Sequence, residues 1–183
     1  ENGESEESLI LKAHQQLLKA QPYALLILVP RHAARFDEVA TFIEQSGLSW
    51  QKRSHQAAIK EQTQVYLADS LGEMMLWYAL ADIAFIGGSL VPFGGHNILE
   101  PASVKTPVIS GPHFHNLTSM FTPFIEEKAI SIVNSSNELA EHLNNMFTKK
   151  EKAAKQSETA FNIMQNQTGA LDATLQEISK LLD

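Results

Sequence analysis

The sequence predicts an α/β protein with a doubly wound, Rossmann-like parallel sheet of about six strands. Short apolar runs alternate with amphipathic helical stretches along the 183 residues. This alternation is typical of parallel sheets, in which each strand reaches the next through a right-handed helical crossover. In addition, loops rich in Gly, His and Arg follow the strands, which places them together at the sheet edge where such folds bind ligands.

The first half of the chain begins with a helix from Ser8 to Ala20, in which apolar residues recur at helical spacing. Tyr23–Pro30 is a continuous apolar run with the length of a strand that is buried on both faces. A helix follows and ends at Gly47. Further strands are predicted at 49–54, 64–68, 82–86, 106–110 and 129–133, and further helices at 74–80, 117–128, from 135 to 146 and from 149 onward.

Helix boundaries are predicted from capping residues. We expect Asp69 or Ser70 to cap the helix 74–80, because short polar side chains accept hydrogen bonds from the first free amides of a helix. Ser135 is expected to begin the helix that follows it. The C-terminal helices, 149–183, are polar, and Gly169 is expected to break them.

The composition excludes several functions. Apolar residues make up 44% and charged residues 19%, which is typical of a folded globular chain. The net charge of -7 argues against nucleic-acid binding, which requires a basic face. There is no cysteine for a disulfide or a thiolate zinc site, and no apolar run is long enough to span a membrane. We expect a single domain over 1–183, cut from a longer protein.

Two glycine pairs lie in the stretch Phe85–Ala102, around which the rest of the chain is organised. Gly87-Gly88 ends a strand, and Gly94-Gly95 precedes a helix start. Because glycine permits positive φ and close approach to bare backbone, a strand, a glycine loop and a helix start together predict a phosphate site. Asn97 is expected to cap this helix, and Glu100 then suits the two hydroxyls of a ribose.

Other polar residues are candidates for ligand or metal binding. Arg31 and His32 follow the first strand, where Arg31 suits a phosphate or carboxylate, although a solvated loop arginine is equally compatible. His113 and His115 make a poor metal site without a third ligand, so no metal is expected. The chain lacks a dinucleotide fingerprint, a P-loop and a serine nucleophile elbow, which excludes NAD, P-loop and serine-hydrolase chemistry.

Several of these motifs together resemble the 3-deoxy-D-manno-octulosonic acid (Kdo) transferases. That family has the two-domain GT-B glycosyltransferase fold, and the resemblance is to its C-terminal half. The similarity covers most of residues 24–120. The matching segments are Val29–His32, Asp69–Glu73, Phe85–Val91, Gly94–Pro101 and Gly111–His113.

The resemblance implies a role in lipopolysaccharide inner-core synthesis. In that family the C-terminal domain binds the donor CMP-Kdo, and the N-terminal domain binds the lipid A precursor and supplies the catalytic base. This chain would therefore bind nucleotide without catalysing transfer by itself. The implied reaction is inverting and needs neither metal nor cofactor, and the complete enzyme would act at the cytoplasmic face of the bacterial inner membrane, which only the complete enzyme would contact.

The resemblance also assigns residues. Arg31 would meet the phosphate or the Kdo carboxylate, and Glu100 the ribose hydroxyls. The remaining expected contacts are His32, Asp69, Gly72, Glu73, Gly87, Gly88, Ser89, Gly94, Gly95, His96 and Asn97, of which Gly88, Ser89, Gly95, His96 and Asn97 would surround the phosphate. Two alternatives stay open: another GT-B enzyme that uses a sugar nucleotide, such as a UDP-sugar transferase or an epimerase, and a non-catalytic nucleotide-binding module.

Overall fold

Helices and parallel strands alternate along the chain, as predicted. The computed structural model describes the backbone of residues 4–182 and the side chains of residues 4–166. The strands are Leu26–Leu28 (β1), Trp50–Lys52 (β2), Val65–Leu67 (β3), Ala84–Ile86 (β4), Val108–Ser110 (β5) and Ser131–Ile132 (β6). The helices are Glu6–Leu17 (α1), Phe36–Ser46 (α2), Met74–Leu80 (α3), Leu99–Ser103 (α4), Thr118–Glu126 (α5), Ser136–Thr148 (α6) and Lys150–Leu182 (α7).

The six strands form two sheets instead of the single sheet that was predicted. One sheet has the order β1-β3-β2 and the other β4-β5-β6, and every pairing is parallel. Each strand has only two or three residues, and no ladder joins β1 to β4 within the described part of the chain. The prediction failed here because an apolar run locates a strand but does not fix which neighbour it bonds or how far the ladder extends.

Two predicted helix ends are confirmed by local hydrogen bonds. Ser135 is the N-cap of α6, and its side chain accepts a hydrogen bond from the amide of Glu138 at 3.2 Å. Gly47 ends α2 with a left-handed φ of 72°, which a residue with a side chain adopts only at a cost. At both helix ends the capping residue lies directly beside the helix in the sequence, so the local sequence pattern is enough to predict it.

Two other predicted helix ends are wrong. Glu73 is the N-cap residue of α3 and makes no side-chain capping bond, because Asp69 is bonded to Ser54 and the hydroxyl of Ser70 donates to Glu73. The backbone of α7 continues through Gly169 without a break. A glycine within a helix costs only about 1 kcal/mol relative to alanine, which is too little to end a long helix by itself.

Helix α1 packs into the cores of both sheets. Leu11 joins the core formed by β1, β3 and α2, whereas Ala13 joins the core formed by β5, β6 and α6. Helix α7 covers the second sheet through the buried Ala153 and Ala160, and Gln156 Nε2 donates to the carbonyl of Val108 at 3.3 Å. The loops after β1 and β4 are thereby held on a rigid scaffold. None of the helices, in the portion described, has the length and apolarity of a membrane span.

His14 is a buried histidine in α1, with 4% of its surface exposed. Its Nε2 lies 2.9 Å from the carbonyl oxygen of Gln64, so the neutral ring donates across to the end of the first sheet. Burial lowers the pKa of His14 below its ordinary 6.5, and the hydrogen bond to Gln64 opposes this only in part.

We therefore predict that His14 makes the fold less stable in acid. Because the unfolded chain binds the proton more readily, the free energy of unfolding should fall as the pH drops below about 6.5. Urea unfolding measured across this range should show a smaller pH dependence in His14→Gln, whereas the exposed His55→Gln should behave as the wild type. An equal pH dependence in wild type and His14→Gln would contradict the assignment.

Candidate functional site

The first glycine pair binds a carboxylate from the same chain. After β4, the amides of Gly88, Ser89 and Leu90 all donate to Glu6, the first residue of α1, at 2.5, 2.8 and 2.8 Å. Gly88 has a φ of +69°, which helps to turn successive amides toward one point. Glu6 therefore occupies the amides of Gly88 and Ser89 in this structure. That these two residues surround the donor phosphate, as the resemblance implies, stays a prediction.

Ser89 joins the loop after β4 to the loop after β5. The residue is fully buried, its hydroxyl donates to the carbonyl of Ile86 at 2.5 Å, and it accepts from the amide of Gly111 at 2.7 Å. The amide of His113 donates to the carbonyl of Ser89 at 3.0 Å. A Cβ on Gly111 would overlap the carbonyl of Ser89, so these loops pack backbone against backbone.

The second glycine pair packs beside the first. The amide of Gly95 donates to the carbonyl of Gly88 at 2.8 Å. Gly94 and Gly95 have φ values of +112° and +78°. A Cβ on Gly94 would overlap the side-chain amide of Asn116, and one on Gly95 would lie 3.2 Å from Cβ of Phe114. Both positions therefore require glycine.

Arg31 and His96 bring the loops after β1 and β4 together. Nη1 of Arg31 lies 3.2 Å from Nδ1 of His96. Since a guanidinium can only donate, Nδ1 must accept, and the proton of the neutral ring is on Nε2. Burial lowers the pKa of His96, and electrostatic interactions with Arg31 and the exposed His32 lower it further. The pair thus combines a permanent cation with a neutral hydrogen-bond donor.

Asn97 and Glu100 flank the start of α4. Oδ1 of Asn97 accepts from the amide of Leu99 at 2.9 Å, although Ile98, not Asn97, is the N-cap residue. Nδ2 of Asn97 lies 3.5 Å from Oε1 of Glu100. Burial raises the pKa of Tyr78 to about 12, the carboxylate of Glu100 adds to the rise, and Arg31 opposes it. Tyr78 therefore lies within electrostatic reach of both Glu100 and Arg31.

Asp69 and Glu73 belong to a separate polar cluster at the ends of β2 and β3. Asp69 accepts from the amide and hydroxyl of Ser54 at 2.8 and 2.6 Å, and Glu73 pairs with Arg53 at 3.1 Å. Burial acts to raise the pKa of Asp69, but the bonds from Ser54 outweigh it and the pKa is lowered. Hydrogen bonds from Ser70 and then Arg53 lower the pKa of Glu73. Both residues are ionised.

Gly72 lies between Asp69 and Glu73 in the sequence, has a φ of +82°, and has open space where a Cβ would stand. The side chains of Asp69 and Glu73 form hydrogen bonds with Arg53, Ser54 and Ser70. Among the described residues, Asp69 and Glu73 thus share one polar cluster, and no hydrogen bond links it to the glycine loops. The part of the chain that the structure describes holds no cluster of three metal-binding side chains.

Sequence reasoning missed three residues of this site. Glu6 and Tyr78 were not among the predicted site residues, and Gly111 entered only as part of a segment that matches the family motif. No local pattern marks Glu6, because its partners are 82 to 84 residues away. The sequence does carry a signal for Gly111, because a Gly-Pro pair directly after a strand marks a turn at the edge of the sheet where the site lies.

The glycine loops, the arginine and the carboxylate lie after parallel strands. This arrangement characterises the class of α/β domains that bind nucleotides beyond the carboxyl ends of their strands. Similarity to known proteins shows which family within this class of nucleotide-binding domains the chain resembles.

The chain is 39% identical, over all 183 residues, to 3-deoxy-D-manno-octulosonic acid transferase of Haemophilus influenzae, of which it covers 42%. The transferase of the same name from Bordetella pertussis is 43% identical over 107 residues, 58% of this chain and 24% of that protein. The crystal structure of the C-terminal CMP-Kdo binding domain of WaaA from Acinetobacter baumannii matches with a TM-score of 0.83 and 38% identity, over 87% of this chain and 83% of that one. No protein-family model matches the chain.

The chain belongs to the 3-deoxy-D-manno-octulosonic acid transferase family, and the family inferred from the motifs is confirmed. Its fold is that of the C-terminal half of the GT-B architecture. The chain spans less than half the length of the curated relatives that it matches.

Gly111→Ala should destabilise the site through steric overlap. Because the added methyl group would meet the backbone of Ser89, we expect the free energy of unfolding to fall by about 1–3 kcal/mol, as for other overpacked positions. Gly72→Ala is the control. A Cβ added at Gly72 would have no neighbouring atom within 4 Å, so this substitution strains only the backbone φ of residue 72 itself. Urea unfolding should rank Gly111→Ala as the less stable variant, and the reverse order would contradict the packing described.

Proposed function

We propose that this chain is the domain of a Kdo transferase that binds the donor CMP-Kdo. The observation that carries the proposal is the match, at a TM-score of 0.83 and 38% identity, to a domain described as binding CMP-Kdo. We call the region between the loops after β1 and β4 the cleft. It brings a cation, a neutral imidazole and a carboxylate together beside a glycine loop, which supports the proposal.

The donor phosphate is proposed to lie at the second glycine loop. Glu6 binds the amides of the first loop, so the cationic side of the cleft, at Arg31 and His96, is the better place for an anion. Arg31 is exposed and has donors beyond the one that reaches His96, and a guanidinium suits two oxygens of a phosphate or carboxylate. The Nε2 proton of His96 adds a neutral donor.

Glu100 is proposed to bind the ribose hydroxyls. It is half-buried, and Asn97 holds one of its oxygens weakly, which leaves acceptor capacity on the carboxylate. Gly87, Gly94, Gly95 and the other loop residues would give the cleft its shape. His32, Asp69, Gly72 and Glu73 are proposed to line its outer part.

In the complete enzyme, a hydroxyl oxygen of the lipid A precursor attacks the anomeric carbon of Kdo. The bond from that carbon to the phosphate oxygen breaks, and CMP leaves with the electron pair. Arg31 stabilises the negative charge that develops on the phosphate, without a metal. The hydroxyl proton passes to a base of the N-terminal domain, and the configuration of the sugar inverts.

Because the donor site lies in this chain and the base in the N-terminal domain, we expect the chain alone to bind nucleotide without transferring Kdo. The complete enzyme would work at the cytoplasmic face of the inner membrane, where the lipid acceptor is presented.

Titration calorimetry of this chain with nucleotides tests the proposal. CMP should bind more tightly than UMP or UDP. Glu100→Ala should weaken CMP binding by about tenfold, which corresponds to about 1.4 kcal/mol. Glu126→Ala is the control, because Glu126 is an exposed carboxylate at the end of α5. A clear preference for UDP would favour another GT-B enzyme, and absence of nucleotide binding would overturn the proposal.

An activity assay of the complete enzyme distinguishes a donor site that takes part in catalysis from a nucleotide site that is only regulatory. Glu100→Ala in that protein should lower kcat/KM for Kdo transfer by about tenfold or more, because a donor held loosely loses its orientation as well as its affinity. Transfer can be followed by the appearance of CMP. Undiminished transfer in a variant with weakened CMP binding would favour the non-catalytic module.

A further inference from the structure

The carboxylate of Glu6 fills a site formed by three consecutive backbone amides. One oxygen accepts from Gly88, and the other accepts from both Ser89 and Leu90. A Cβ on Gly87 would lie 3.3 Å from Oε2 of Glu6, so the missing side chain lets the carboxylate approach. The first glycine pair is thus built around an internal anion.

This loop supports the second glycine loop directly. The carbonyl of Gly88 accepts from the amide of Gly95, and the ring of His96 packs against Gly88, with Nε2 3.3 Å from the position of a Cβ. His96 in turn lies 3.2 Å from Arg31. A continuous path of short contacts therefore runs from Glu6 to the cation of the cleft.

We propose that Glu6 is a positioning residue for nucleotide binding. Its charge orders the first glycine loop, and that loop sets the place of Gly95 and His96. It also keeps the phosphate of the donor from the amides of the first loop, because two anions cannot share them. This inference rests on the proposed function in one respect, that nucleotide binds at the second glycine loop.

The role of Glu6 is separable from the folding of α1. The helix is anchored by its buried face, which includes Leu9, Leu11 and Leu17, and Ser5 supplies its N-terminal cap. Loss of the Glu6 carboxylate leaves those contacts in place and leaves three amides without their acceptor. A small carboxylate from solution can then take the vacant position, which a merely structural defect would not permit.

Chemical rescue provides the test. CMP affinity is measured by calorimetry for this chain, for Glu6→Ala and for Glu4→Ala, in sodium acetate and in sodium chloride of equal ionic strength. Glu4 is the matched control because its carboxylate pairs with Lys12 at the surface. We expect Glu6→Ala to bind CMP about tenfold or more weakly in chloride, since it loses hydrogen bonds to a charged acceptor. Acetate should restore most of that affinity, and Glu4→Ala should match the wild type in both salts.

A second readout does not need nucleotide. In spectra of the ¹⁵N-labelled chain, the amide signals of Gly88, Ser89 and Leu90 should move in Glu6→Ala and return toward their wild-type positions as acetate is added. This separates the two proposals. If the wild type binds no CMP, the proposed function fails, while the amide signals still report whether Glu6 orders the loop.

Three results would overturn the role of Glu6. They are wild-type CMP affinity in Glu6→Ala, amide signals that do not respond to its loss, and a loss of affinity that acetate does not reverse. Should Glu6→Ala fail to fold, Glu6→Gln decides. It keeps the side-chain length but turns a donor toward at least one amide, so CMP affinity should fall by about threefold or more, and unchanged affinity would overturn the proposal.

Discussion

The contact between Glu6 and the amides of Gly88, Ser89 and Leu90 is the constraint on which the site depends. It joins the first turn of α1 to the loop after β4, two segments that are 82 to 84 residues apart. Three consecutive amides that converge on one point need an anion, because unpaired donors in a half-buried position are costly. Supplying that anion from within the chain fixes the loop before any ligand arrives.

Everything else in the cleft is arranged around this fixed loop. Ser89 bonds the loop after β5, Gly88 bonds Gly95, and Gly95 leads into His96. The neutral state of His96 follows from burial and from Arg31, so the cleft keeps one permanent cation that a nucleotide phosphate can neutralise. Glu100 lies close enough to Tyr78 to raise the pKa of its hydroxyl, an effect that Arg31 opposes.

The sequence predicts those features of the fold that depend on neighbours in the chain. Apolar runs located the strands, Ser135 located the start of α6, and the glycine pairs located the loops of the cleft. Features that depend on distant partners were not predictable. Asp69 is a residue type that often caps helices, but it accepts hydrogen bonds from Ser54 instead. The division into two sheets depends on which strands pair, and no local sequence pattern determines that pairing.

The candidate site was predicted to a similar extent. Arg31, His96, Asn97 and Glu100 come together at the carboxyl ends of β1 and β4, because each follows a strand or begins a helix in a recognisable way. The occupant of the first glycine loop was not predictable. A Gly-Gly-Ser turn signals that an anion binds there, but it does not say whether the anion is a ligand or, as the structure has it, Glu6.

The most direct measurement is a crystal structure of this chain with bound CMP. We expect the phosphate within hydrogen-bonding distance of Arg31 and His96 and the ribose hydroxyls at Glu100, while Glu6 still accepts from the amides of Gly88, Ser89 and Leu90. A phosphate seated on those amides with Glu6 displaced, or a nucleotide bound away from the second glycine loop, would contradict it.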